Sequence, residues 1–169
     1  KENVKLVIND ARSFIKNNSF KYDSIIYGLL DSQTNLSSKG GIRLDSYVFT
    51  TEAFKEAKDS LKEDGFLYIS FFVQTPELGY KLFKMLENTF GRKPIVLKSD
   101  VNDRYIFISQ NNFAKIFDTS NLKYFKEIEN FDKINYKIDL STDDWPFIYM
   151  PSKVYPFTYF TIVLLLMIS

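Results

Sequence analysis

The chain is expected to be an α/β protein with a mostly parallel sheet that ends in an antiparallel hairpin. Three observations predict this. Strand-like and helix-like segments alternate along the 169 residues, the order a parallel sheet requires because each crossover takes a helix. Two runs, SIIYGLL and FLYISFF, are apolar without a break at strand length, as strands covered on both faces are. The last two strand-like runs, PIVLKS and RYIFISQ, are separated only by DVND, a link that allows only an antiparallel pair.

The elements follow in order. Val4, Leu6 and Ile8 predict a short strand ending at Asn9-Asp10. ARSFIKNN follows as a helix with Asp10 as its N-cap, because a short acceptor side chain can take a free N–H of the first turn. SIIYGLL is the next strand, and DSQTNLSSKGG after it has the polar, Gly/Ser-rich character of a loop. In TTEAFKEAKDSLKEDG, Thr50 or Thr51 caps a helix, Phe54, Ala57 and Leu61 share a face, and Gly65 supplies the stop. FLYISFF is a further strand. TPELGYKLFKMLENTFG is a helix with Thr75 as cap, Pro76 at the first position, Leu78, Leu82, Met85 and Leu86 as its apolar stripe, and Gly91 as its end. After the hairpin, LKYFKEIENF is expected to form one short helix.

In such sheets ligands lie beyond the carboxyl ends of the strands. Those ends are Asn9-Asp10, Gly28 to Asp31, and Phe71 to Gln74. Composition narrows what can happen there. With no Cys and no His, thiolate metal sites, Cys nucleophiles and His bases are excluded, and acid–base work falls to Asp, Glu, Lys or Tyr. Lys+Arg 22 against Asp+Glu 21, interleaved along the chain, argues against a nucleic-acid partner. The acidic pair Asp143-Asp144 invites a metal reading. No third ligand is identifiable, and Trp145-Pro146 beside it points to a packed turn that docks the segment on the domain.

The chain is expected to be part of a longer protein. It does not begin with Met, and it stops while still apolar. From Val154 to Ser169 no charge appears, whereas a membrane-spanning helix needs about 20 apolar residues. The segment therefore reads as the start of a transmembrane helix. Trp145, Tyr149, Tyr155 and Tyr159 lie near its entry, where interfacial aromatics gather.

The series DARSFI, YDSIIYGLLD and YVFTTEAFKEAKDSLKEDGFLYISF resembles the second half of the class I S-adenosylmethionine-dependent methyltransferase fold, a Rossmann-like sheet. More narrowly it is similar to the spermidine/spermine synthase group. GLLDSQT, RLDSYVFTTEAF and TDDWPFIYMP, with an apolar segment after them, resemble large bacterial membrane proteins that embed such a domain among transmembrane helices. The resemblance covers Val4 to about Gln110 and again Ser141 to Pro151. It implies a partial domain over 1–140 lacking its first strands, a docking linker over 141–153 and a truncated transmembrane segment over 154–169. The family's glycine-rich loop and ribose-holding acid are expected to precede Lys1.

The resemblance also implies a chemistry. The parent protein would use S-adenosylmethionine or its decarboxylated form, without a metal, on a small-molecule acceptor such as a polyamine. Its lipid partner would be the bacterial inner membrane, with the domain on the cytoplasmic face. Asp10 and Ala11 fall on the family's adenine-edge step, with Asn9 where the family has glycine, and Gly28 and Leu29 fall beside the nucleoside. The synthases carry two acids at the end of the fourth strand. Here Gly28 takes the first position and Asp31 the second. Asp31 is either a catalytic base that takes the amine's proton or a polar strand end that orders the following loop. Arg43 and Asp45, before the next helix, either contact substrate or form surface salt bridges. The same residues fit an alternative, a non-catalytic nucleotide-binding or structural domain of a membrane assembly.

Overall fold

The capping residues set the local structure. In the computed structural model, which describes residues 3–28, 44–112, 119, 122–133, 135–155 and 157–168, Asp10 caps helix α1 (Ala11–Asn17) by accepting from the Ser13 N–H. Thr50 caps α2 (Thr51–Asp59) by accepting from Ala53. Thr75 caps α3 (Pro76–Phe90) by accepting from Leu78, and Gly91 ends that helix in the left-handed region at φ 72°. Between and after these lie strands β1 (Tyr22–Tyr27), β2 (Leu61–Phe72), β3 (Ile95–Ser99), β4 (Arg104–Gln110) and β5 (Phe125–Glu127), a 3-10 turn over Leu44–Phe49, and helix α4 (Phe157–Ile168).

The strands form one five-stranded sheet in the order β1-β2-β4-β3-β5. The expected hairpin is present, with Ile95 opposite Ile108 and Lys98 opposite Tyr105. The expectation of a mostly parallel sheet is corrected. Among the described neighbouring strands only β1 and β2 pair parallel, while β2–β4, β3–β4 and β3–β5 pair antiparallel, so that β3 keeps the direction of β1 and β2 without pairing with them. The cause is the placement of β4, which returns between β2 and β3 instead of lying outside them. LKYFKEIENF is not a helix: its centre is β5, which satisfies the free edge of β3.

Three other expectations change. Val4 to Ile8 forms no strand, and Val4, Leu6 and Ile8 are 89%, 85% and 95% exposed. An isolated strand has no ladder bonds to offset its ordering, and no described segment pairs with it. SIIYGLL is not covered on both faces: Ile25 and Tyr27 are buried while Ile26 is 70% exposed, so β1 alternates. Gly65 is not a helix stop. Helix α2 ends at Ser60, and Gly65 lies inside β2.

The core lies on one face of the sheet. Leu67, Ile69 and Phe71 of β2 and Phe107 of β4 are fully buried against Phe54 and Ala57 of α2 and Leu82, Met85 and Leu86 of α3. Each large side chain so buried contributes about 1.5–3 kcal/mol. Lys81 is the exception on the α3 stripe. It is 1% exposed, and its Nζ donates to the carbonyls of Phe147 at 2.9 Å and Met150 at 2.7 Å. Burial lowers its pKa to about 8. The ammonium thereby fastens the 147–150 turn to α3. Helix α4 follows; at 12 residues it is about 18 Å long. No helix among the described residues is long and apolar enough to cross a membrane.

Gly65 provides a test of the β1–β2 junction. The register slips there, with Tyr22 opposite Leu61 but Ser24 opposite Phe66. A Cβ on Gly65 would lie 2.9 Å from the Tyr22 carbonyl oxygen, a backbone atom that cannot swing aside. Gly65→Ala should lower the unfolding free energy by about 1–3 kcal/mol, read as the shift in a urea denaturation midpoint. An unchanged midpoint would mean that this close approach carries no constraint.

Candidate functional site

Arg12 organises the region around the start of α1. Its Nε and Nη2 donate to the two Glu56 carboxylate oxygens at 2.7 and 3.1 Å. Its Nη1 and Nη2 donate to Asp143 at 2.7 Å each, and Nη1 also reaches the Tyr47 carbonyl at 3.1 Å. A guanidinium presents five N–H donors in a planar fork, and each donor here has an acceptor. Hydrogen bonds to Asp143 and then Glu56 raise the Arg12 pKa above its ordinary value. The same Arg12 bonds hold both carboxyls below theirs.

Asp143 does more than balance charge. Its Oδ1 accepts from the Thr50 hydroxyl at 2.7 Å, while that hydroxyl accepts from Ala53 N–H as the α2 cap. The Asp143 N–H donates to Glu52 at 3.0 Å. Both Thr51 N–H and Thr51 Oγ1 donate to the Ser141 carbonyl, at 2.9 and 3.0 Å. The 141–145 turn is thus bonded to the first turn of α2, and one arginine joins it to α1. Trp145 continues the contact through edge-on packing with Phe147 at 4.8 Å and Tyr155 at 5.4 Å.

The residues that sequence singles out for the nucleoside lie at the start of α1 and directly after β1. Asp10 Oδ1 accepts from Ser13 N–H at 2.8 Å, and Asp10 and Ala11 are exposed. A carboxylate has about four acceptor positions, so the cap leaves Asp10 able to take another donor. Gly28 ends β1, exposed, and a Cβ placed there would meet nothing within 4 Å. Tyr27, directly before it, is buried edge-on against Phe49 at 6.3 Å, which anchors the strand end. Asp10 and Ala11 ride on α1, which packs on α2 and the 3-10 turn; Gly28 follows directly after β1. Leu29, Asp31 and Arg43 lie outside the described residues, and Asp45 falls within the 3-10 turn. Among the described residues no group of three or more acids could hold a metal ion, and Asp143 is committed to Arg12.

At the carboxyl end of β2 lies a cleft of about 680 Å³ between the start of α3, the β3–β4 hairpin, residues 128–133 and Tyr136. Val73 and Gln74 line it, as the strand-end rule anticipates. Sequence reasoning did not single out Arg12, Glu56 or the cleft residues Tyr80, Lys98, Tyr105 and Tyr136. The nearest signal was the Arg in DAR, which has no local partner: Asp143 lies 131 residues away.

Acid titration tests the Arg12 cluster. Folded-state carboxyl pKa values below the ordinary range mean that the unfolded chain takes up protons first. The stabilisation is therefore complete above about pH 4.5 and is lost as pH falls through the folded pKa values. Arg12→Met should cost about 2–3 kcal/mol at pH 7, less than a fully buried pair, because the Asp143 side chain is 39% exposed. It should also flatten the fall in stability between pH 5 and about pH 2. Chemical denaturation of both proteins across that range checks both effects, and parallel curves would remove the cluster from the acid response.

No curated protein matches the chain. A family match exists: residues 1–93 fit the spermine/spermidine synthase domain. The match takes in α1 with its Asp10-Ala11 start, β1 with Gly28, the whole of β2 and helix α3, more than half of the 169 residues. On that coverage the chain belongs to the spermine/spermidine synthase domain family.

Proposed function

We propose that the chain is part of a transferase domain that takes a sulfonium nucleoside, S-adenosylmethionine or its decarboxylated form, at the carboxyl edge of the sheet. The family membership together with the exposed Asp10-Ala11 start of α1 carries this reading. The bound donor would supply an electrophilic carbon beside a positively charged sulfur. The protein's task is to hold the nucleoside and to present a neutral acceptor. Asp10 would accept from the adenine amino group, with Ala11 small enough for the ring to approach. Asp31 would take the proton of an acceptor amine, which at pH 7 is mostly protonated, as lysine-type amines are. Because Gly28 occupies the other acid position, Asp31 would do this alone.

A second reading, a nucleotide-binding or structural domain without chemistry, is favoured by Gly28 itself. One experiment separates the two. Full-length protein is given each donor with putrescine, and binding of the nucleoside product is followed in parallel. Asp10→Ser keeps a good helix cap and shortens the acceptor; it should leave stability nearly unchanged and weaken nucleoside binding about tenfold. Asp31→Asn should lower aminopropyl turnover on the order of 10²-fold while sparing that binding. Nucleoside binding without transfer from either donor would establish the second reading; no binding would reject both.

We also propose that the domain sits beside a membrane, at the bacterial inner membrane on its cytoplasmic face. Every face of α4 is apolar and exposed, from Phe157 at 79% to Leu164 at 60% and Ile168 at 76%. A helix apolar all round belongs in a core or in lipid, and Lys153 is the last charge before it. Protein ending at Pro151 should stay in solution, whereas the longer form should float with lipid vesicles. Equal flotation of the two forms would reject a lipid role for α4.

A further inference from the structure

The cleft at the end of β2 has a chemistry that the transferase reading does not use. Its volume, about 680 Å³, falls in the range of small-molecule sites, roughly 300–1,000 Å³. Its walls are aromatic and fixed before any ligand arrives. Tyr80 packs on Tyr136 at 5.6 Å, and its hydroxyl donates to Asn135 at 3.0 Å. Tyr105 meets Phe131 edge-on at 6.1 Å, and Phe131 in turn packs on Phe83 at 5.6 Å. Rings locked in this way lose little freedom when they bind a flat guest.

The charge of the lining decides what kind of guest fits. Aromatic walls can cage a cation, but the cleft already holds two. Lys98 Nζ lies 5.4 Å from the Tyr105 ring centroid, and Lys133, exposed, is also part of the lining. Asp103 is the one acid in the lining, and it is engaged with Lys98 at 3.6 Å. That pair balances itself, and Lys133 leaves the lining with one net positive charge, which disfavours a diamine and favours an anion. Neutral donors and acceptors complete the rim, among them Gln74 and Asn130. Asn130 has φ 61°, the one positive φ outside glycine among the described residues, so the rim turn holds a conformation that few residues adopt.

We infer that this cleft binds a small aromatic carboxylate, its ring between Tyr80, Tyr105 and Tyr136 and its anionic end toward Lys98 and Lys133. The inference does not rest on the transferase reading, because it concerns binding without a donor present.

Naphthalene-2-carboxylate, naphthalene-2-carboxamide and putrescine serve as probes of the 169-residue chain, with backbone amide shifts as the readout. The carboxylate should move the Lys98, Tyr105, Asn130 and Tyr136 resonances and bind about tenfold more tightly than the carboxamide. The double variant Lys98→Gln, Lys133→Gln should abolish that difference while the rest of the spectrum stays in place. Both side chains reach solvent, so the fold should tolerate the change, and Tyr136→Ala gives an independent route to weaker binding. The inference is overturned if putrescine or the carboxamide binds as tightly as the carboxylate. It is equally overturned if the carboxylate shifts only α4, or if it leaves the cleft resonances unmoved at millimolar concentration.

Discussion

The pairing of Arg12 with Glu56 and Asp143 is the constraint on which the candidate site depends. Helix α1 has seven residues and buries none of them fully, and a helix of that length is not stable on its own. Among its described attachments are Ile15, partly buried against the core and accepting from the Ser60 hydroxyl through its carbonyl, Lys16, 3.5 Å from Glu56, and the Arg12 guanidinium, which makes the most bonds of the three. The residues of interest, Asp10 and Ala11, are the cap and first residue of this helix. Their place relative to the sheet is therefore set by an arginine one or two positions further on, gripping α2 and a turn from the far end of the chain. Arg12 would act on a nucleoside only through the position it gives Asp10.

The same pairing explains why the 141–145 segment is ordered although it belongs to no sheet strand. Asp143 accepts from Arg12 and Thr50, and its backbone donates to Glu52. Surface ion pairs usually contribute little. This one differs because the Arg12 side chain is 16% exposed and bidentate to both acids. Removing the cation would leave two partly buried carboxylates facing each other, so the cost comes from what is left behind as much as from the bonds lost. Lys81 does related work on the next stretch, holding the carbonyls of Phe147 and Met150 with a buried ammonium. Two basic side chains thus add to the segment's own backbone bonds, such as the mutual pair of Thr142 and Trp145, and tie it to three helices.

What was legible in the sequence was what neighbours decide. Asp10, Thr50, Thr75 and Gly91 mark helix ends because each acts on a backbone group within a few residues, and the DVND link could only join an antiparallel pair. What was hidden depended on partners far along the chain. Val4 to Ile8 has the alternation of a strand, but alternation does not supply a ladder. LKYFKEIENF has a helical composition, yet the open edge of β3 captured its centre as β5, a case of tertiary context overriding propensity. Gly65 reads as a helix stop because glycine commonly ends helices; its actual role, close approach to the Tyr22 carbonyl, is visible only once β1 lies beside β2. Arg12 and Asp143 gave no pattern at all, since 131 residues separate them. The strand-end rule pointed to Val73 and Gln74, which line the cleft, but not to its aromatic walls, which come from α3, β4, residues 128–133 and Tyr136 together.

A chain of contacts runs from the candidate site to α4. Asp10 begins the helix that Arg12 holds; Arg12 holds Asp143; Trp145, two residues on, packs against Tyr155, which stands shortly before α4. The turn between them is pinned to α3 by Lys81, so a displacement of α4 cannot be taken up freely by the 147–150 stretch. It must either break the two carbonyl bonds to a buried ammonium or move the aromatic pair that abuts the Arg12 cluster. Lys81 makes the second route the one taken: leaving its ammonium buried without acceptors would cost several kcal/mol, whereas Trp145 and Tyr155 meet only through ring packing. An apolar helix seated in lipid would therefore bear on the orientation of α1 through packed and hydrogen-bonded groups, not through the sheet, whose β1 and β2 are held by their own ladder.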